Sequence, residues 1–167
     1  MTHLDSSSAD VLVFTFKEGL LSAVAHDLKL RVTSFRLEVA SDAVTAEFDP
    51  TSLRVVTAMK GGQEAPGALP AFARGEIEKN ILTDVLEPAR FPSVRFESTS
   101  ITDARVTGRL TLHGQTREVT GARKDADGRR VLEVRLDQRD FGLTPYSAML
   151  GTLKVKPEVL VRVSFSA

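Results

Sequence analysis

The sequence predicts an all-β protein, an antiparallel barrel or curled sheet carrying one main α-helix over about residues 76–87. Three observations lead there. Apolar and polar residues alternate along most of the chain, turn signals separate the alternating runs, and a single segment breaks to helical spacing. The last run is the clearest, with Val159, Val161, Val163 and Phe165 set against Glu158, Leu160, Arg162 and Ser164, of which all but Leu160 are polar. Leu132, Val134 and Leu136 alternate with Glu133 and Arg135, and Val106, Leu110 and Leu112 with Thr107, Arg109, Thr111 and His113. Residues 28–39 place Leu28, Leu30 and Val32, then Leu37 and Val39, against Lys29, Arg31 and Glu38. Their alternation breaks at Ser34-Phe35, which reads as a bulge or bend. Val44, Ala46 and Phe48 make a short strand ended by Asp49-Pro50.

The turns suit hairpins. Ser41-Asp42, His113-Gly114 and Asp125-Ala126-Asp127-Gly128 each lie between alternating runs, and a glycine there accepts positive φ. The helical segment places Ile77, Ile81, Leu82, Val85 and Leu86 on one face, and Glu76 and Glu78 in the expected first turn suit the helix dipole. Pro88 disfavours helix at Glu87 and ends it. Residues 60–75, rich in Gly and Pro, read as a long mobile loop.

Size and composition narrow the function classes. The 167 residues suit one domain, with residues 1–9 expected as a flexible tail and 10–167 as a single barrel. Lys+Arg and Asp+Glu both number 22, and this zero net charge disfavours nucleic acid as a partner. There is no cysteine, which excludes disulfides, thiolate metal sites and cysteine catalysis. The longest apolar run is Val11-Leu12-Val13-Phe14, far short of the ~20 residues of a membrane-spanning helix. The polar start lacks the basic and apolar regions of a secretory signal. The chain as written is therefore expected in the cytoplasm, and in the periplasm if its N-terminus was trimmed.

No motif argues for an enzyme or a cofactor. Asp140-Phe141-Gly142 spells the magnesium motif of protein kinases, but without a phosphate loop or a His-Arg-Asp it reads as a structural turn. The three histidines, His3, His26 and His113, lack metal-ligand spacing, so no metal is expected. His26-Asp27 is a candidate proton-transfer pair, although neighbours on a strand face opposite ways. The nine Phe could line a cavity or fill a core, and an eight-stranded barrel lies at the crossover between the two.

The second half carries a resemblance. Ile81-Leu82, then Phe91-Pro92-Ser93-Val94-Arg95-Phe96-Glu97-Ser98, is followed by Val106-Thr107-Gly108-Arg109-Leu110-Thr111-Leu112-His113-Gly114-Gln115-Thr116-Arg117-Glu118-Val119 and by Arg139-Asp140-Phe141-Gly142. In order and spacing these blocks resemble the YceI-like family. The match is clear over 81–167 and looser over 10–60. The resemblance implies a lipocalin-like antiparallel barrel of about eight strands enclosing an apolar tunnel. It also implies binding of polyisoprenoids, isoprenoid quinones or other long-chain lipids. The absence of Trp favours this family over true lipocalins, which carry one near the first strand.

The expected function is non-enzymatic carriage or sequestration of such a lipid. The expected wall is Phe14, Phe16, Leu28, Leu30, Val32, Leu37 and Phe48 from the first half. Val94, Phe96, Leu110, Leu112, Leu132, Val134, Val161, Val163 and Phe165 complete it from the second. The helix face Ile81, Val85 and Leu86 would plug or line one end. His26, Asp27 and Arg139 are the candidates for a polar head group. Two rivals stand beside this reading: a barrel enzyme using His26 and Asp27 on a hydrophobic substrate, and a protein-interaction module with a filled core. A homodimer is compatible with all three.

Overall fold

A computed structural model describes residues 1–18, 26–148 and 153–167. The chain opens with β1 (Thr2–Leu4), β2 (Ala9–Thr15) and β3 (Asp27–Val32). Next come β4 (Phe35–Val39), β5 (Val44–Phe48), β6 (Leu53–Lys60) and the short β7 (Gln63–Glu64). Helix α1 (Ala71–Asn80) precedes the meander β8 (Val94–Ile101), β9 (Arg105–Leu112), β10 (Gln115–Ala126) and β11 (Arg129–Asp137). A small pair, β12 (Ser147–Ala148) with β13 (Leu153–Lys154), stands apart, and β14 (Glu158–Ser166) rejoins the main sheet.

That sheet has twelve strands in the order β1-β4-β5-β8-β9-β10-β11-β14-β2-β3-β6-β7, every neighbouring pair antiparallel. The expected strand number, about eight, is too low. Residues 60–64 form an added β6–β7 hairpin, and residues 2–4 add an edge strand beside β4. So wide a twisted sheet curls on itself. The curl is visible in the connections: β3 and β4 sit near opposite ends of the strand order, yet Thr33-Ser34 alone joins them. Asp49 N–H bonds to the Ser34 carbonyl at 3.0 Å, and Thr33 N–H to the Ser52 carbonyl at 3.1 Å. The break at Ser34-Phe35 is thus the point where the chain crosses from one end of the sheet to the other.

Local chemistry explains the tight turns. His113 and Gly114 have φ of 53° and 74°, and Asp127 and Gly128 have 54° and 72°. Two successive positive φ values give the two-residue hairpin whose twist matches its strands. Near the N-terminus, the Asp5 carboxylate accepts the Ser7 N–H at 2.8 Å and the Ser7 hydroxyl at 2.6 Å, and these bonds hold its pKa below the usual carboxylate value. Residues 1–9, expected as a tail, therefore hold a strand and a capped turn.

The helix begins at Ala71 rather than near residue 76, so residues 71–75 are not loop. Ala71, Phe72, Ala73 and Arg74 tolerate helix well, and Gly75 had masked that run. Glu76 and Glu78 consequently sit within the helix, not in its first turn. Glu78 has a specific task there. β7 covers β6 only at Met59 and Lys60, and farther along the strand the Glu78 carboxylate accepts the Val55 N–H at 3.0 Å. After Asn80, Ile81–Leu86 continue as a wider turn, closed by the Glu87 N–H bonding to the Leu82 carbonyl at 3.0 Å. Glu87 takes φ 48° and ends the helix just before Pro88, as the sequence predicts.

Candidate functional site

Strand parity decides what faces the interior. Val11, Val13 and Thr15 point inward from β2, and Val159, Val161, Val163 and Phe165 from β14. Leu132, Val134 and Leu136 do so from β11, Val106, Leu110 and Leu112 from β9, and Val94 and Phe96 from β8. The far wall is Leu28, Leu30, Val32, Leu37, Ala46 and Phe48, and Ile77, Ile81, Val85 and Leu86 come from the helix and its wide turn. Together they enclose a cavity of about 670 Å³, within the ~300–1,000 Å³ range of small-molecule sites.

Side-chain choice keeps this interior hollow. Val13, Val161 and Val134 are direct cross-strand neighbours, a rung of short branched side chains that cannot reach the centre. Phe96 is large, but its ring lies flat on the wall over Gly108: an added Cβ there would stand 2.5 Å from Phe96 Cζ. Of the other aromatics, Phe91 packs against His113 with ring centroids 4.1 Å apart and planes tilted by 47°, and Phe141 is fully buried beneath the wall with Leu143.

Polar lining groups gather at the two ends. Near the helix stand His26, Asp49, Glu76, Asn80, Gln138, Tyr146 and Lys154, with Asn80 Nδ2 donating to the Tyr146 hydroxyl at 3.2 Å. Phe72 forms part of this rim and is 79% exposed, an apolar side chain left in water at the mouth. At the opposite end Arg123 and Arg130 enter from the two strands joined by Asp127-Gly128.

Two expected wall residues are misplaced. Phe14 and Phe16 do not line the cavity. The run Val11-Leu12-Val13-Phe14 is apolar on both faces, so alternation could not choose between them. The structure turns Val11 and Val13 inward and buries Phe14 on the outer face, where the Arg162 guanidinium lies 4.8 Å from its ring centroid. Two head-group candidates also fall outside. Asp27 points away from the cavity, its carboxylate accepting the Lys17 N–H at 2.8 Å. Arg139 is exposed and forks onto Asp137 at 2.7 and 3.0 Å, which lowers the Asp137 pKa and raises its own. His26 alone of the three lines the cavity. The remaining expected wall residues all do. Lining residues that were not expected include Val11, Val13, Val106, Val119, Leu136, Tyr146, Val159, Arg123 and Arg130. For Val106, Leu136 and Val159, each in a recognised alternating run, parity alone could have found them. Asp140-Phe141-Gly142 is a turn, with Gly142 at φ 70° ending a single helical turn over Gln138–Phe141.

A polar latch fixes the helix end of the cavity. Glu87, in its left-handed conformation, accepts a hydrogen bond from His113 Nε2 at 3.1 Å, tying the helix exit to the β9–β10 hairpin. That bond and the nearby Arg90 hold the Glu87 carboxyl below its usual pKa. A depressed carboxylate stabilises the fold above its unfolded pKa, and the contribution disappears as pH falls through the lowered value. Glu87→Gln is therefore expected to lower Tm at pH 6, and the difference should shrink as pH falls through the lowered Glu87 pKa. Thermal melts of both proteins across that range check it, and a pH-independent difference would show that charge is not involved.

The YceI-like domain family matches residues 4–167. The chain belongs to the YceI-like family. The match takes in the first half, where the sequence resemblance was loose. Among solved structures, this YceI-like chain is similar to BcnA of Burkholderia cenocepacia, at 15% identity and TM-score 0.66 over 98% of this chain and 99% of that one. A polyisoprenoid binding domain from Saccharophagus degradans, implicated in plant cell wall breakdown, matches at 10% identity and TM-score 0.56, covering 95% and 94%. The Campylobacter jejuni YCEI protein matches at 10% and 0.58, covering 84% of each chain. At these identities the likeness is one of fold. Comparison with curated proteins gives no match. Among the described residues of this YceI-like chain, no helix is long and apolar enough to cross a membrane.

Proposed function

We propose that this YceI-like protein is a non-enzymatic carrier or sequestering protein for a long apolar lipid held inside the curled sheet. Polyisoprenoids, isoprenoid quinones and fatty-acid-like chains are the candidate ligands. One observation carries this reading: a cavity of about 670 Å³ walled by aliphatic side chains from both halves of the chain, with polar groups confined to its ends. A buried chain gains about 0.8 kcal/mol per CH₂ removed from water. Several isoprene units then exceed the cost of ordering the ligand. The polyisoprenoid-binding relative from Saccharophagus degradans supports the ligand class.

The two rival readings have less support. His26 faces the cavity while Asp27 bonds to the Lys17 backbone on the other side, so the pair does not act on one substrate. A filled core has no counterpart in the cavity. Native mass spectrometry of freshly purified protein, followed by solvent extraction, tests the carrier reading. A discrete bound mass released by solvent is the expected result. A protein that purifies empty and takes up neither added isoprenoid quinone nor fatty acid would overturn it.

A further inference from the structure

The carrier reading leaves the ligand's polar end unspecified, and the cavity's charge distribution addresses it. The helix end carries one cationic lining side chain, Lys154, and two carboxylates, Glu76 and Asp49, the latter next to the Pro50–Ser52 turn that packs on Ile81–Leu86, so its formal charge is net negative. The opposite end presents Arg123 and Arg130 with no carboxylate in the lining itself. Both arginines are on inward-facing positions of adjacent strands, close to the Asp127-Gly128 hairpin.

The two guanidinium groups are held differently. Arg130 forks onto Asp125 at 3.1 and 3.4 Å, and that contact, with Arg123 close by, holds the Asp125 carboxyl below its usual pKa. Among the described residues, Arg123 makes one side-chain hydrogen bond, from Nη1 to the Thr102 carbonyl at 3.2 Å, and no ion pair. Its hydrogen-bond partner is neutral, and it acts on the Asp125 carboxylate only through space, without a direct ion pair. Arg123, Arg130 and Asp125 together sum to a single formal positive charge at the mouth of an otherwise apolar cavity. The Arg130 side chain is about one third exposed (34%), so a group held there keeps contact with water while an attached chain runs inward along Phe165, Val163 and Leu132.

A planar fork of donors beside an apolar channel matches an oxyanion on a hydrocarbon chain. A neutral quinone or alcohol would leave the guanidinium charge unanswered. Resting on the carrier reading, we propose that Arg123 and Arg130 form a head-group site for an anionic lipid, one whose long chain ends in a phosphate or carboxylate. Arg123 supplies the guanidinium that has no direct ion-pair partner. Arg130 holds Asp125 aside and adds a second donor edge.

Matched ligands test this. Binding of farnesyl phosphate is compared with farnesol, and palmitate with hexadecanol, so that each pair shares a tail and differs in head group. The wild-type protein is expected to favour the anion of at least one pair by about tenfold, the equivalent of ~1.4 kcal/mol. The pair that shows the preference tells phosphate from carboxylate. The preference should shrink as salt is raised, because the site lies near solvent. Arg123→Gln should reduce it to within about twofold, weakening the anion far more than the alcohol, and Arg123→Lys should restore part of it. Circular dichroism confirms that each variant is folded. Equal affinity for anion and alcohol in the wild type would overturn the head-group site and leave the carrier reading standing, as would equal losses for both in Arg123→Gln. Failure of all four ligands to bind would overturn both.

Discussion

Val161→Trp should shorten the longest chain the protein can hold. Val161 lies between Val13 and Val134 on the rung where three strands meet, and all three side chains face the cavity. An indole placed there occupies space that a ligand chain would otherwise fill. The packing is open, so the stability cost should stay below the ~1–3 kcal/mol typical of overfilling a dense core. Binding should respond strongly. Each CH₂ excluded from the cavity forfeits about 0.8 kcal/mol, roughly fourfold in Kd, so losing three or four should weaken a long ligand by about a hundredfold. A short chain that ends before the rung should bind as before. Titrations with fatty acids or prenyl alcohols of graded length measure this. Equal losses at every length would mean the chain does not pass Val161, and no loss would mean it lies outside the cavity.

Gly108→Ala should be among the most destabilising single-methyl changes in the chain. A Cβ at this position would stand 2.4 Å from the Glu97 carbonyl oxygen and 2.5 Å from the Phe96 ring. The ring can rotate, but the carbonyl belongs to the adjacent strand and can yield only if β8 and β9 separate. Such overpacking costs about 2–3 kcal/mol, which for a chain of this size lowers Tm by roughly 4–12 °C. Gly75→Ala is the matching control. It lies within α1, no atom stands within 4 Å of the added Cβ, and its φ is not positive. Removing a helical glycine there should raise stability by about 0.5–1 kcal/mol. Thermal melts of the two variants should therefore move in opposite directions. A Gly108→Ala protein that melts with the wild type would show that the β8–β9 pairing is looser than its register implies.

The two variants probe one design at two scales. Gly108 lets a phenylalanine lie against the wall, and the valine rung keeps the middle open. Both follow from residues whose small size looks unremarkable in the sequence. The motif Val106-Thr107-Gly108 pointed to a family, whereas the reason for its glycine is the contact with Phe96 and Glu97 across the strand pair.

The strands with clean alternation, the two glycine hairpins, the end of the helix at Glu87 and most of the inward-facing wall were legible from residue order alone. These depend on local rules: a side-chain period of two, positive φ at a turn, and the steric effect of proline on the residue before it. Long-range packing set the facing of β2, because Val11, Leu12, Val13 and Phe14 are all apolar and both faces of that strand are covered. It also decided the helix start, where the Gly75 signal competed with good helix formers packed on β6. The polar ends belong to the same class. Arg139 lies beside a recognised motif, yet its partner is Asp137 and it remains in solvent. Arg123 and Arg130 carry no local signal, and they meet at the cavity mouth only because β10 and β11 pair in register with their inward faces shared. A period can say which residues share a face. Which face encloses the cavity depends on how the twelve strands curl, and that is set by contacts between residues far apart in the chain.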